Sequence, residues 1–229
     1  MKRGFTLVEL SIVLVIIGLM IGGILVAQSM VGTAKIQRVV QQLQQYDVAI
    51  ANFKTKYNAL PGDSVLLPPS VGVYGDVPNN DGLINVQERF NFYYQLSQGV
   101  GLKDLTGADF QPMTDFSGTK CPKFNLDQDN SLLPCLYLQA TTTTQGVHNY
   151  YMYNSSAAQA ASSTSSALLK PAVALAIDSK IDDANYGSGK VLGFNTGCTV
   201  NAVTYQVSND SYTCSLAIEM NIFNGLSNP

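Results

Sequence analysis

The sequence of 229 residues predicts an α+β protein in which a long N-terminal α-helix packs on the antiparallel β-sheet of a head domain. An apolar run over 5–27 continues into apolar residues that recur every three or four positions up to residue 57, as in one extended helix. Short apolar runs between Gly, Pro, Asn and Asp clusters over 61–229 indicate short strands and loops. The length suits a single domain, or one domain with an appendage.

The composition excludes several classes of protein. Hydrophobic residues make up 46% and charged residues 13% of the chain, against roughly 25% charged residues in an ordinary soluble domain. Such an apolar chain is not intrinsically disordered. A net charge of −3 and a pI near 5.0 argue against nucleic-acid binding, which needs clustered Lys and Arg. The chain has one histidine, His148, with no nucleophile placed beside it in sequence, so we expect no enzymatic activity.

The apolar run over 5–27 is long enough to cross a membrane. At about 1.5 Å per residue it spans roughly 34 Å, and Lys2 and Arg3 before it predict a cytoplasmic N-terminus. The residues outside the apolar-plus-glycine set are Thr6, Glu9 and Ser11. A cleaved secretory signal peptide is the alternative, but the run is too long and no small-x-small cleavage site is evident after it.

Glu9 is the unusual residue of this run. A carboxylate inside a membrane span costs at least about 2.5 to 3.5 kcal/mol, so it needs a partner. No Lys, Arg or His lies on the helix within a turn or two below Glu9, so the partner must come from elsewhere. The alternative is that Glu9 extends to the headgroup level, since it lies only four residues past Phe5.

The segment from Lys2 to Leu10 resembles the class III signal of type IV prepilins and type II secretion pseudopilins. It has a basic leader that ends in Gly4, then Phe5, then Glu9 inside an apolar helix. The resemblance implies a pilin-like fold. It also implies that prepilin peptidase cleaves after Gly4 and methylates the new amine of Phe5. In that family the glutamate, here Glu9, pairs with the N-terminal ammonium of a neighbouring subunit.

The resemblance implies a structural role and a location. We expect a subunit of a type IV pilus or a type II secretion pseudopilus, with other pilin or pseudopilin subunits, prepilin peptidase and inner-membrane lipid as partners. The head would be periplasmic until assembly into a cell-surface or periplasmic filament. The alternative is a single-pass membrane-anchored periplasmic binding domain that does not polymerise. The resemblance does not separate major pilin, minor pilin and pseudopilin.

Four segments follow from the pattern and the resemblance. They are a leader peptide at 1–4, a transmembrane and filament-core half-helix at 5–27, an amphipathic half-helix at 28–58 and a head domain at 59–229. The amphipathic half carries an apolar stripe made of Ile36, Val39, Leu43, Tyr46, Ile50, Phe53 and Tyr57. A parallel coiled coil could use this stripe. Only about three heptads are present, which favours packing on the chain's own sheet, and Leu60-Pro61-Gly62-Asp63 would end the helix.

The head contains five candidate strands and one candidate helix. The predicted strands are 136–139, 150–153, 191–194, 203–207 and 215–219. A short helix is expected over 87–98, and the Thr-, Ser- and Ala-rich stretch over 140–167 indicates an exposed loop. Residues 166–177, around Pro171, suit either a helix or a strand.

The segment 76–88 resembles a calcium-binding loop. With Gly82 at position 6 of an EF-hand loop, oxygen donors fall at Asn79, Asp81, the Leu83 carbonyl, Asn85 and Glu88. Position 1 is Val77 rather than an acid, and Asp76 stands one residue early. Ca2+ is therefore the one cofactor that the sequence suggests. The alternative is a plain Asn/Asp/Gly turn followed by Glu88 at the start of a helix, where the dipole favours a carboxylate.

A second acidic cluster contains Asp178, Asp182 and Asp183. Carboxylates with this spacing can share a helix face and a metal ion, but Lys180 and the following glycines favour a solvated helix end.

The four cysteines predict two disulfides in an oxidising compartment, because no CxxC or Cys/His cluster is present. Three pairings are open. Local pairing of Cys121 with Cys135 and of Cys198 with Cys214 is favoured, and the second pair resembles the disulfide-bounded C-terminal region of type IV pilins.

Overall fold

The computed structural model shows three α-helices and a four-stranded sheet among the residues that it describes. The described residues are 6–67, 78–85, 88–103, 110, 122, 126, 135–143, 146–154 and 169–220. In chain order the elements are α1 (Leu7–Tyr57), α2 (Arg89–Val100), β1 (Cys135–Thr143), β2 (Gly146–Asn154), α3 (Pro171–Ile181), β3 (Val191–Phe194) and β4 (Ser215–Glu219). The predicted α+β class is confirmed.

The first helix, α1, is 51 residues long, or about 75 Å. It ends at Tyr57 because Asn58 adopts the left-handed conformation, with a φ of 51°. The Asn58 N–H donates to the Lys54 carbonyl at 2.8 Å, which closes the last turn. The helix therefore ends before Pro61, and the proline follows the end instead of causing it.

The sheet is antiparallel throughout, in the order β1-β2-β4-β3. Strand β4 is central in this order, and its Ile218 pairs with Tyr151 of β2 on one side and Val191 of β3 on the other. All five residues of β4 are buried. The apolar runs that predicted β3 and β4 have the same bounds as the strands.

Two predictions for the head are wrong. Strands β1 and β2 pair from Cys135 opposite Asn154 to Thr143 opposite Gly146, so much of the expected 140–167 loop is sheet; 155–168 lie outside the described residues. The β-branched threonines suit a strand once a partner strand is available. Residues 203–207 form no strand and contribute only a bridge between Thr199 and Tyr205.

The two short helices lie along the amphipathic half of α1. Pro171 occupies the first turn of α3, where its missing N–H costs nothing, which decides the 166–177 ambiguity in favour of a helix. The central residues of the α1 stripe are buried in one core with α2, α3 and the sheet. Tyr46 contacts the rings of Tyr93 in α2 and Tyr151 in β2, at centroid distances of 5.7 and 6.4 Å. The stripe thus packs within its own chain.

Candidate functional site

The N-terminus of α1 is closed by a reciprocal contact between Thr6 and Glu9. Thr6 is the N-cap residue, and its hydroxyl oxygen accepts the Glu9 N–H at 3.3 Å. The Glu9 carboxylate oxygen Oε2 accepts both the Thr6 N–H and the Thr6 hydroxyl at 2.8 Å. This capping box satisfies two of the orphan donors of the first turn. Glu9 is thereby held at the very end of its own helix.

The contribution of Thr6 was not anticipated in the sequence analysis. The signal was present, since a threonine followed by a glutamate three residues later, before an apolar run, is the signature of a capping box.

The first half of α1 presents apolar side chains to its surroundings on every face. Leu7 is 88% exposed and Leu19 is 73% exposed, although both are large hydrophobic residues. By length and composition this helix is apolar enough to cross a membrane, and it is the one such helix in the described residues. The Ser11 hydroxyl donates to the Val8 carbonyl at 2.9 Å, so this polar group is satisfied within the helix. A surface of this kind requires lipid or other apolar helices around it.

Residues 1–25 match the family model described as the prokaryotic N-terminal methylation motif. The chain carries the class III signal of type IV pilins and pseudopilins. The motif supports a prepilin-type substrate of prepilin peptidase, and the apolar helix that follows it supports a membrane anchor. No curated protein and no solved structure gives a significant match to the chain. Gly4 and Phe5 lie outside the described residues.

The second candidate region is the loop ahead of α2. Most of the predicted calcium ligands lie in the described residues, whereas Asp76 does not. The Asn79 side-chain oxygen accepts the Asp81 N–H at 3.1 Å, and Asp81 Oδ1 accepts the Leu83 N–H at 2.8 Å. These are contacts of a plain Asx turn. A carboxylate oxygen has a further lone pair, so the contacts do not prevent the oxygens from binding an ion.

Asn85 and Glu88 exchange hydrogen bonds just before α2. Asn85 Oδ1 accepts the Glu88 N–H at 3.2 Å, and Glu88 Oε2 accepts the Asn85 N–H at 3.0 Å. Glu88 is only 2% exposed. Burial raises the pKa of its carboxyl to about 7, and the charges of Asp63 and Asp81 add to the increase.

Asp63 is the residue of this region that the sequence analysis missed. Its fully buried carboxylate accepts the N–H groups of Asn79 at 3.2 Å and of Gly82 at 2.8 Å, and a third from Asn80. Burial raises the Asp63 pKa, against the opposing effect of the amides of Gly82 and Asn80. Sequence reasoning assigned this segment only to the helix end, and no local pattern indicates that it meets the loop.

The second acidic cluster lies at the C-terminal end of α3. Asp178, Asp182 and Asp183 are the one group of three potential ligands in the described residues whose oxygens lie within 4.8 Å of one another. Asp178 is buried, and its Oδ2 accepts the Tyr205 hydroxyl at 2.8 Å. Burial raises the pKa of Asp178 to about 6. Asp183 Oδ2 accepts the Ser188 hydroxyl at 2.7 Å, so the cluster is organised by donors from the protein itself.

The structure contains the disulfide between Cys198 and Cys214. It closes the segment that holds the Thr199–Tyr205 bridge, and both cysteines are buried. Cys121 lies outside the described residues, so its pairing with Cys135 stays a prediction.

Proposed function

We propose that this protein is a structural subunit of a type IV pilus or type II secretion pseudopilus, polymerised through α1. The observation that carries the proposal is the exposed apolar half of α1, which has Glu9 in its first turn and overlaps the methylation motif matched over residues 1–25. Before assembly, membrane lipid surrounds such a helix. In a filament, a bundle of identical helices replaces the lipid. Assembly, rather than catalysis, is then the chemistry of the chain.

The proposed processing creates the partner of Glu9. Cleavage between Gly4 and Phe5 removes Lys2 and Arg3 and exposes a new amine, which prepilin peptidase methylates. Between subunits, the ammonium of one Phe5 would pair with the Glu9 carboxylate of the next, and this offsets the cost of a carboxylate in apolar surroundings. Before assembly the Thr6 donors satisfy that carboxylate.

The proposed topology follows from the same helix. Its N-terminus is cytoplasmic, and the half of α1 beyond the membrane carries the disulfide-containing head into the periplasm. A single-pass anchored domain that never polymerises would share this topology. The two differ in that only a polymerising pilin needs Glu9 for assembly.

The experiment compares Glu9→Ala with Ser11→Ala in cells that assemble the filament. Both remove a polar group from the same apolar run, but the Ser11 hydroxyl only contacts its own helix. Removing one member of a buried charge pair costs about 2 to 5 kcal/mol, so we expect Glu9→Ala to enter the membrane normally and to be incorporated into filaments roughly thirtyfold less or worse. Immunoblots of sheared filaments and membranes measure the ratio. Normal incorporation of Glu9→Ala would overturn the pairing mechanism.

A further inference from the structure

The loop ahead of α2 lacks an acid at its first ligand position, and a distant segment places one there. Asp63 lies against the amides of Asn79, Asn80 and Gly82, which are positions 3, 4 and 6 of the loop. The carboxylate that a continuous calcium loop carries at position 1 must reach this same half of the loop. Asp63 therefore offers the acid that Val77 does not.

The rest of the loop is folded sharply and fixed to the sheet. Asn80 and Gly82 have positive φ values of 58° and 82°, which allow the tight turn that position 6 requires. Ile84 is fully buried, and its N–H donates to the Asn149 side-chain oxygen at 2.8 Å. Its carbonyl accepts the Ala140 N–H at 2.7 Å. The ligand oxygens are thus carried on a loop whose position is set by the core.

An independent observation indicates a missing ligand at Glu88. Its Oε2 accepts the Asn85 N–H, but its Oε1 is buried and has no hydrogen-bond partner among the residues that the structure describes. A buried carboxylate oxygen without a partner is costly, and native proteins supply such a group with water or an ion. The charges of Asp63 and Asp81 act on the Glu88 carboxylate. The cationic side chain next in sequence, that of Arg89, lies over the Phe90 ring, with 5.4 Å between the guanidinium carbon and the ring centroid.

We propose that Asp63 completes a discontinuous calcium site with Asn79, Asp81, the Leu83 carbonyl and Glu88. All the donors are oxygen atoms and three of the residues are acidic. Ca2+ accepts such ligands in variable geometry, whereas Mg2+ requires a near-ideal octahedron. The acidic oxygens of this group are spaced more widely than those of the Asp178 cluster. Binding would draw them together by replacing their mutual repulsion with attraction to the ion.

The competing site is the Asp178, Asp182 and Asp183 cluster. Each of its carboxylates already accepts a hydrogen bond, from the Tyr205 hydroxyl, the Lys190 N–H and the Ser188 hydroxyl. In contrast to Glu88, none of the three has a buried side-chain oxygen without a partner. The cluster by itself therefore does not require an ion, and it provides the matched control.

The test is calorimetric titration of CaCl2 into the full chain, purified in a non-ionic detergent and freed of metal with EDTA. We expect one bound Ca2+ per chain and a rise in the unfolding temperature when calcium is added. Glu88→Gln and Asp81→Asn should weaken binding roughly tenfold or more, because calcium affinity depends on the ligand charge count. Asp183→Asn should bind as the wild type does. No binding by the wild type, or binding that only Asp183→Asn weakens, would overturn the proposal.

The role of Asp63 needs its own measurement. Asp63→Asn should lose calcium binding. This loss supports the role of Asp63 if the metal-free variant unfolds near the same temperature as the metal-free wild type. Since Asp63 also accepts three loop amides, this variant can fail to fold. In that case a crystal structure of the calcium-loaded wild type decides. An Asp63 oxygen within about 2.6 Å of the ion supports the site, and an ion without one overturns it.

Discussion

Gly99 lies where α2 crosses the end of α1, and replacing it with alanine tests how tightly these helices pack. A β-carbon at Gly99 would lie 2.5 and 2.6 Å from two ring atoms of Phe53 and 2.9 Å from one of Tyr57. Phe53 is fully buried, and its ring centroid is 4.6 Å from that of Tyr57. Because the new β-carbon would lie closer than 3.0 Å to these ring atoms, the rings or the two helices must shift.

The expected cost combines two opposing contributions. Overpacking a core costs about 1 to 3 kcal/mol, and alanine in place of glycine inside a helix returns up to about 1 kcal/mol. The net destabilisation is about 0 to 3 kcal/mol, centred near about 1.5 kcal/mol. In a chain of this size each kcal/mol lowers the unfolding temperature by about 2 to 4 °C. Near-UV circular dichroism of the full chain in detergent measures that temperature.

The matched control is Gly32→Ala in α1. A β-carbon at Gly32 meets nothing within 4 Å, so this variant should keep or raise the unfolding temperature. A second control combines Gly99→Ala with Phe53→Leu, which removes ring atoms from the contact. The pair should be less destabilising than the sum of the single variants by about 0.5 kcal/mol or more. Gly99→Ala as stable as the wild type would refute the proposed packing.

Two further predictions concern the α3 end of the head. The pKa of Asp178 is about 6 in the folded chain, above its usual value of 3.8, so its contribution to stability is present below about pH 4 and is lost as the pH rises to about 6. At 1.36 kcal/mol per pKa unit, this loss of unfolding free energy is about 3 kcal/mol. Urea unfolding at pH 4 and pH 7 measures the loss, which Asp178→Asn should not show. An unchanged pH dependence in this variant would contradict the assignment. The paired replacement of Cys198 and Cys214 by serine should lower the unfolding free energy by about 3 kcal/mol, because it reopens a loop of about 15 residues. An unaltered urea midpoint would count against a structural role for this bridge.

The elements that were predictable from sequence are those with a strong local signal. The helix α1 follows from its apolar run and stripe, and β3 and β4 follow from short buried runs bounded by turn residues. Residues 203–207 form no strand, although Val203, Tyr205 and Val207 alternate with polar residues. Val203 and Val207 are 51% and 53% exposed, and within the described part of the chain the segment pairs only through a single bridge. Pairing partners, rather than propensity, decide such segments.

The same distinction applies to the two functional regions. The capping box of Thr6 and Glu9 is local, three residues apart, and was available to sequence reasoning. The contact of Asp63 with the loop around Gly82 joins residues 19 positions apart. It depends on how the chain leaves α1 and returns to the sheet, which no periodicity encodes. An incomplete ligand pattern in a sequence is therefore weak evidence against a site.

The intact mass of the protein extracted from membranes tests the central proposal most directly. In cells with an active prepilin peptidase, we predict a chain that lacks Met1 to Gly4 and carries one added methyl group on the amine of Phe5. Cells without the peptidase provide the control and should yield the uncut chain. An uncut, unmethylated chain in the membranes of cells with the peptidase would contradict the account.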